Sequence, residues 1–382
     1  MKTKTMKKAL IVTAFARFIK SFLTNDVLFL QSKGYEVHCA ANINHPGAEC
    51  MPDYFKDMGV VFHQIDFSSN KPVSKESAIS MKQMRLLAKQ QFDVVHVHTP
   101  VAGAICRLAC NDLRKKGTKV IYTTHGFYFH KNSSKKTWLI YHTIEDWMSR
   151  YSDAIITINR EDYENAKRMH CKKVYYIPGV GVDIKKFRDV VVDRDTYRKS
   201  IGIKSDDFLV LAVGELSRRK NHKIVIEALA ESKIQNAVFM ICGNAMTSAN
   251  TVEEIKGLAK SLKVDLRLMG LRDDIPEICK CADLGVMPST REGLGLSGIE
   301  MLASGLPIVA SKVHGIVDYV QDDINGYLAN PYSSHEFAEK ILQIYNKETR
   351  ARLREKCSDS VLKFDATCSH EAMQKIYDEI LI

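Results

Sequence analysis

Two doubly wound parallel α/β sheets in tandem are what this sequence predicts. Short β-branched apolar runs alternate with longer helical patterns, the arrangement that places helices on both faces of a parallel sheet. The alternation occurs twice, on either side of the junction Ile177-Pro178-Gly179. A chain of 382 residues is also long for one hydrophobic core and suits two.

In the first half the predicted strands are Ala9–Thr13, Glu36–Ala40, Val60–Ile65, Val94–His98, Val120–Thr124, Ala154–Ile158 and Val174–Ile177. Helical patterns lie between them, notably Ser77–Gln91, Ala102–Lys115 and Thr137–Tyr151. A charged stretch from Asp183 to Ser205 leads into the second half. Its strands are Leu209–Val213, Val238–Ile241, Leu266–Met269, Leu284–Met287, Ile308–Ala310 and Gly326–Leu328. The domains are expected at residues 1–182 and 183–365. Lys7-Lys8 followed by Ala9–Ala16 faintly mimics a leader peptide, but the apolar part is short and Arg17 and Lys20 follow at once. A buried first strand accounts for it better. No run reaches the eighteen or so apolar residues of a membrane span.

Composition narrows the class. Hydrophobic content of 45% and charged content of 26% are those of an ordinary globular protein. Ten cysteines are scattered without a Cys-x-x-Cys, the usage of a reducing compartment in which thiols serve as small hydrophobes. Cys279-x-Cys281 points its side chains to different faces of a helix, which argues against zinc. The net charge of +10 lies entirely in the first half, where residues 1–182 hold 27 Lys and Arg against 15 Asp and Glu. Such a half suits an anionic surface or a phosphate-bearing acceptor, or simply a solvated surplus. With no zinc-finger spacing and no ribonucleoprotein motif, nucleic acid is not expected.

Arg291-Glu292-Gly293-Leu294-Gly295-Leu296-Ser297-Gly298-Ile299-Glu300 is the most informative segment. Two carboxylates eight positions apart flank glycines ahead of an apolar helical run. Glycines admit a ligand close to the backbone, and free N–H groups at a helix start favour a phosphate. Carboxylates pair well with sugar hydroxyls. Together these suit a nucleotide-sugar, though a plain loop–helix junction with two solvated Glu has the same sequence.

With Ala303-Ser304-Gly305-Leu306-Pro307-Ile308-Val309-Ala310, this Glu-x7-Glu segment resembles the signature of the family-4 retaining glycosyltransferases, which have the two-domain GT-B fold. Val213-Gly214-Glu215-Leu216…Lys220-Asn221 is similar to that family's diphosphate loop. Ile177-Pro178-Gly179-Val180-Gly181-Val182-Asp183 is similar to its domain junction. His96-Val97-His98-Thr99-Pro100 and Thr124-His125-Gly126-Phe127-Tyr128-Phe129 resemble the branch that builds bacterial exopolysaccharide and capsule on lipid carriers. The matches run in order from about residue 7 to the end of the chain.

The resemblance implies a GT-B architecture: an N-terminal acceptor-binding Rossmann-like domain and a C-terminal nucleotide-sugar-binding one, facing a central cleft. A C-terminal helix (about residues 366–382) is implied to cross back onto the first domain. It implies that Glu292 binds donor-sugar hydroxyls and Glu300 the ribose, with the amides of Gly293, Leu294, Gly295 and Leu296 on hydroxyl and phosphate oxygens. Lys220 would stabilise the departing diphosphate, since a fixed cation there acts most strongly in the transition state. Many relatives carry an Arg directly after the loop glycine, and here that position is Glu215; Arg218 or Arg219 is an available substitute, as are the amides of the helix beginning near His222. His125 is implied to face the donor sugar across the cleft as a polar stabiliser. Leu271 and Arg272 are implied to lie at the nucleobase.

His96 and His98 share one face of a strand. They fit a metal pair or a structural role, and no further ligand cluster accompanies them; no metal and no cofactor are expected. The acceptor side is read from two aromatic-basic groups, Phe15, Phe18 and Phe22 with Arg17 and Lys20, and Lys131, Lys135 and Lys136 near Trp138, Tyr141 and Trp147. Aromatics beside lysines suit a membrane interface, and also the core of ordinary helices.

The expected activity is retaining, metal-independent transfer of a hexose from a UDP-sugar to a polyprenyl-diphosphate-linked glycan. It would take place on the anionic inner face of the cell membrane, by a cytoplasmic, peripheral enzyme of exopolysaccharide or capsule synthesis. A sugar-nucleotide epimerase or hydrolase of the same fold, and an inactive donor-binding scaffold subunit, are the alternatives. A nicotinamide dehydrogenase is disfavoured because Gly-x-Gly-x-x-Gly is missing after Thr13-Ala14-Phe15 and after Val213.

Overall fold

A computed structural model describes residues 6–44, 48–67, 74–245 and 249–381. The chain divides into two compact units, Met1–Val180 with Thr367–Ile382, and Gly181–Ala366.

The first unit is built on seven strands: β1 (Lys7–Phe15), β2 (Tyr35–Asn42), β3 (Val61–Gln64), β4 (Val94–His98), β5 (Lys119–Thr124), β6 (Ala154–Thr157) and β7 (Lys173–Tyr176). Their order is β3-β2-β1-β4-β5-β6-β7 with every neighbouring pair parallel. The second unit holds β8 (Phe208–Val213), β9 (Ala237–Cys242), β10 (Asp265–Gly270), β11 (Leu284–Met287), β12 (Ile308–Ser311) and β13 (Gly326–Ala329), in the order β10-β9-β8-β11-β12-β13 and again all parallel. Each sheet reverses its winding once, between β1 and β4 and between β8 and β11. Open α/β sheets open a crevice at the carboxyl ends of such strand pairs.

The central strands are apolar on both faces because helices cover both. Leu10 and Val12 of β1, Val95 and Val97 of β4 and Tyr122 of β5 are fully buried in one core. Val210, Phe239, Val286 and Val309 anchor the other, under Val225 and Leu229 of the helix His222–Ser232 and Phe337 and Ile341 of the helix Ser334–Tyr345. Each such side chain contributes about 1.5–3 kcal/mol on burial.

The helix expected over Ala102–Lys115 is instead two, Pro100–Ala109 and Asn111–Lys115, hinged at Cys110. Asn111 and Asp112 are poor interior helix residues and start a new turn instead. Pro100 opens the first of these, where its missing N–H is harmless.

The last helix, Ala366–Ile380, buries Met373, Ile376, Tyr377 and Ile380, one helical face, within the first unit. Tyr377 stacks on Phe29 at 5.8 Å, and its hydroxyl lies 2.6 Å from His96 Nδ1. Glu379 accepts hydrogen bonds from Lys173 and Tyr175 of β7. Among the described residues no helix is long and apolar enough to cross a membrane, and all ten cysteines are free thiols, eight of them buried.

Candidate active site

In the second unit, the loops leaving β8 and β11 meet at the winding reversal. The β8 loop turns through Gly214 and a short helical turn, Arg218–Lys220, and Thr290 N–H in the β11 loop donates to Arg219 C=O at 2.9 Å. Glu292 is 8% exposed. Its Oε1 accepts from Lys220 Nζ at 2.8 Å, from Ser289 Oγ at 2.8 Å and from Arg219 NH1 at 2.9 Å. The three contacts all fall on one oxygen and leave Oε2 out. Burial pushes this carboxyl up, but Lys220 and Arg219 outweigh burial and hold it below the ordinary carboxylate range. Glu292 is therefore an anion at neutral pH with one oxygen clamped.

Glu215, directly after the loop glycine, accepts from Arg219 Nη2 at 3.0 Å and from Ser217 Oγ at 2.9 Å. Arg219 thus spans both glutamates and also donates to Arg291 C=O at 3.0 Å. The Lys220 chain lies against Gly214, where an added Cβ would stand 3.2 Å from Nζ. Arg218 points away to Glu254 and is mostly exposed.

The helix Leu296–Ala303 begins beside this cluster. Gly295, at φ +84°, precedes it without a side-chain cap, and the first-turn N–H groups of Leu296 and Ser297 have no backbone partner among the described residues. The positive end of the helix is left for an anion. Tyr319 braces the turn: its hydroxyl donates to Gly295 C=O at 3.1 Å and would stand 2.3 Å from a Cβ at Gly298. Leu294 is buried, and Gly293 C=O packs against Gly315, where no Cβ would fit. Glu300, in the second turn, is raised by burial, an effect that Lys186 of the helix Ile184–Arg188 partly opposes.

Leu271 is exposed at the end of β10. Arg272 beside it is committed to Asp274, to which its Nε donates at 2.8 Å. Asp274 also accepts from Tyr197, so Arg272 is held in a polar network while its side chain stays partly exposed.

In the first unit a second polar group occupies the corresponding reversal. His98 Nδ1 is 3.1 Å from His125 Nε2, the two rings stack at 5.3 Å, and Phe18 meets the edge of His125 at 4.8 Å. His96 has both nitrogens engaged, by Tyr377 and by Thr123 Oγ1 at 2.7 Å. Burial holds His125 down to about 4 and His96 to about 3, and pushes His98 well below its ordinary value, so all three are neutral. Among the described residues, His98 Nε2 is buried without a partner. A buried lone pair is tolerated better than a buried N–H. Hydrogen-bond balance therefore assigns the shared proton to His98 Nδ1, which leaves His125 Nε2 accepting and His125 Nδ1 carrying its own proton. Thr99, next in the chain, sits at φ +66° and ψ 144°, a strained backbone for a threonine, and its Oγ1 accepts from Ala14 N–H.

The residues read as acceptor-side fall in two places on this unit. Phe15 ends β1 and Arg17 is exposed just beyond it; Lys131 precedes the helix Lys135–Ser149, which Lys135 and Lys136 begin. Among the described residues, no group of three or more His, Cys, Asp or Glu is placed to hold a metal ion. Thr99, Ser289, Tyr319 and Tyr377 escaped the sequence reading. An unusual backbone marks Thr99 and contacts distant in sequence mark Tyr319 and Tyr377, whereas Ser289 is marked only by standing three positions before Glu292.

Two family descriptions match the chain, Glycosyltransferase Family 4 over residues 27–186 and Glycosyl transferases group 1 over residues 193–361. The Bacillus subtilis (strain 168) protein EpsD, whose name assigns it as a glycosyltransferase without donor or acceptor, is 32% identical over 97% of this chain and 96% of its own length. The chain belongs to the family-4 glycosyltransferases. A further relative, at 26% identity over 87% of each chain, is the Escherichia coli UDP-Gal:alpha-D-GlcNAc-diphosphoundecaprenol alpha-1,3-galactosyltransferase. Among solved structures, Anabaena Alr3699/HepE in complex with UDP and glucose superposes with a TM-score of 0.78 over 98% of this chain and all of that one, at 18% identity. That likeness establishes the GT-B fold for this family-4 chain.

Proposed function

We propose that this glycosyltransferase moves a hexose, with retention of configuration, from a UDP-sugar to a glycan on a polyprenyl diphosphate carrier in exopolysaccharide or capsule synthesis. The observation that carries the donor half is the convergence of Lys220 and Arg219 on Glu292 beside the uncapped start of the helix Leu296–Ala303. Cations and backbone amides suit a diphosphate, and the unclamped Oε2 of Glu292 suits a sugar hydroxyl. A neighbour's bound UDP and glucose support a UDP-sugar. The diphosphoundecaprenol acceptors named for the Escherichia coli and Campylobacter jejuni relatives support a lipid-linked acceptor.

In the proposed step the acceptor hydroxyl oxygen bonds to the anomeric carbon on the face from which the diphosphate departs. The bond from that carbon to the β-phosphate oxygen breaks, and the hydroxyl proton passes to the leaving diphosphate. Lys220 and Arg219 neutralise the charge that grows on that group, so the step requires no metal ion. The Oε2 atom of Glu292 orients the sugar, Glu300 holds the ribose, and the backbone around Leu271 and Arg272 lines the base. His125, neutral and with its proton on Nδ1, donates a hydrogen bond to the sugar. The enzyme works at the cytoplasmic face of the membrane without spanning it.

The test is turnover of a panel of radiolabelled UDP-sugars with and without a polyprenyl-diphosphate glycan, in the presence of EDTA. Acceptor-dependent formation of a product with retained anomeric configuration supports the reading. Equal turnover without acceptor would establish a hydrolase or epimerase instead.

A further inference from the structure

The helix Lys135–Ser149 is apolar on both of its long faces. One face leans on the unit: Trp138 and Tyr141, still 37% and 38% exposed, meet Phe129 and Tyr128, while Glu145 binds the buried Arg107 and Met148 is buried. At 3.6 residues per turn the opposite face carries Leu139, Ile140, Thr143, Ile144 and Trp147. The four large apolar side chains of that row are 63%, 45%, 45% and 47% exposed. A contiguous apolar stripe left in water marks an interaction surface.

The charges around the stripe indicate what covers it. Lys131, Lys135 and Lys136 stand at its amino end. At its carboxyl end Arg150, on the same helical face, borders a basic pocket of about 390 Å³ that also takes in Lys119 and Lys172. None of these five lysines is in an ion pair among the described residues. The nearby carboxylates have partners of their own: Glu145 binds Arg107, Asp146 binds His170, Asp153 in the pocket binds Arg114, and Glu161 accepts from the Lys131 N–H at 2.6 Å. Cations therefore bracket an acid-free apolar row about 12 Å long. A protein partner reads one such row by shape; a bilayer needs only apolar depth with positive charge at headgroup level.

We propose that the Leu139–Trp147 stripe is the surface by which the enzyme lies on an anionic phospholipid bilayer, with its flanking cations on lipid phosphates. The inference deepens the peripheral-membrane part of the proposed function and rests on it for its biological setting only. Its test involves no sugar.

The chain's two tryptophans are Trp138 and Trp147, 37% and 47% exposed. With vesicles of phosphatidylglycerol, a Trp138→Phe protein should shift its remaining Trp147 emission to shorter wavelength, and an unshifted emission would overturn the proposal. The full-length enzyme should co-sediment with phosphatidylglycerol vesicles, much less with phosphatidylcholine, and less in high salt. Ile144→Glu should weaken that partition at least roughly tenfold, while transfer to a detergent-dispersed acceptor persists. Loss of both vesicle binding and transfer, with intact folding by circular dichroism, would place the stripe in the acceptor site and overturn the proposal. So would unaltered co-sedimentation of Ile144→Glu, equal binding to neutral vesicles, or a dimer in solution that Ile144→Glu dissolves.

Discussion

The Lys220 ammonium lies 2.8 Å from Oε1 of Glu292, and that oxygen is shared with Arg219 and Ser289. Sharing makes the ion pair tolerant of one loss. A buried carboxylate stripped of every partner costs several kcal/mol, but here two donors survive the removal of Lys220. We expect Lys220→Ala to fold with a thermal midpoint close to that of the parent. Its kcat should fall by about a hundredfold or more, because the cation is needed most as the diphosphate departs. Near-parental kcat in Lys220→Ala would remove it from the leaving-group role.

Glu292→Gln is the complementary change. The amide retains the shape while losing the charge that binds the two cations and the sugar hydroxyl. We expect loss of transfer of similar size, about a hundredfold, and a thermal shift by UDP that survives, since the cations remain. A variant that loses UDP binding together with activity would show that Glu292 organises the phosphate cations rather than the sugar.

His125 is held neutral down to about pH 4, and His98 further stabilises that state by donating to its Nε2. Both protonation constants are depressed, so neither ring changes charge between pH 5 and 8. The rate should therefore show no limb from His125 in that range. The nitrogen spectrum of His125 should report the Nδ1–H tautomer, and His98→Ala should mix the tautomers and lower kcat. A rate limb near pH 6.5 that vanishes in His125→Ala would contradict the neutral-donor role.

Gly298 has no room for a side chain, because an added Cβ would stand 2.3 Å from the Tyr319 hydroxyl. Gly298→Ala should displace Tyr319 from Gly295 and cost about 1–3 kcal/mol by overpacking. Tyr319→Phe keeps the ring and loses only the bond, at about 1 kcal/mol. Chemical denaturation of the two variants checks the order, and equal losses would show that the ring rather than the hydroxyl braces the turn.

Asp26, 7% exposed in the helix Thr24–Ser32, is pushed up to about 7 by burial. A carboxyl with a raised folded constant contributes stability at low pH, lost as pH rises from the unfolded value near 4 through 7. Asp26→Asn should therefore stabilise the protein at pH 8 by roughly 2–4 kcal/mol and have little effect at pH 4. The same gain at both pH values would exclude titration as the cause.

Much of the fold was legible because parallel strands buried on both faces read as unbroken apolar runs. Val94–His98 and Leu284–Met287 were bounded to the residue. The break at Cys110 was not, since Ala102–Lys115 keeps a helical period across it. In the site, Glu292 and Lys220 announce themselves by residue type at the ends of strands. The way Glu215 is accommodated does not. Arg219 reaches it only because the loop doubles back, a matter of backbone path that composition cannot carry. Tyr377 lies 281 positions from its partner His96; no local pattern encodes such a contact.

That last contact bears on how the protein is made. Synthesis proceeds from the amino end, yet His96 acquires Tyr377, and Phe29 its stacking partner, only when the final helix has left the ribosome. The first unit to be translated is therefore the last to be completed. The second unit, contiguous from Gly181 to Ala366, can close while its predecessor still waits. A nascent chain halted before residue 367 would carry one finished unit and one lacking its closing helix, with Phe29 and the His96 imidazole without their native cover.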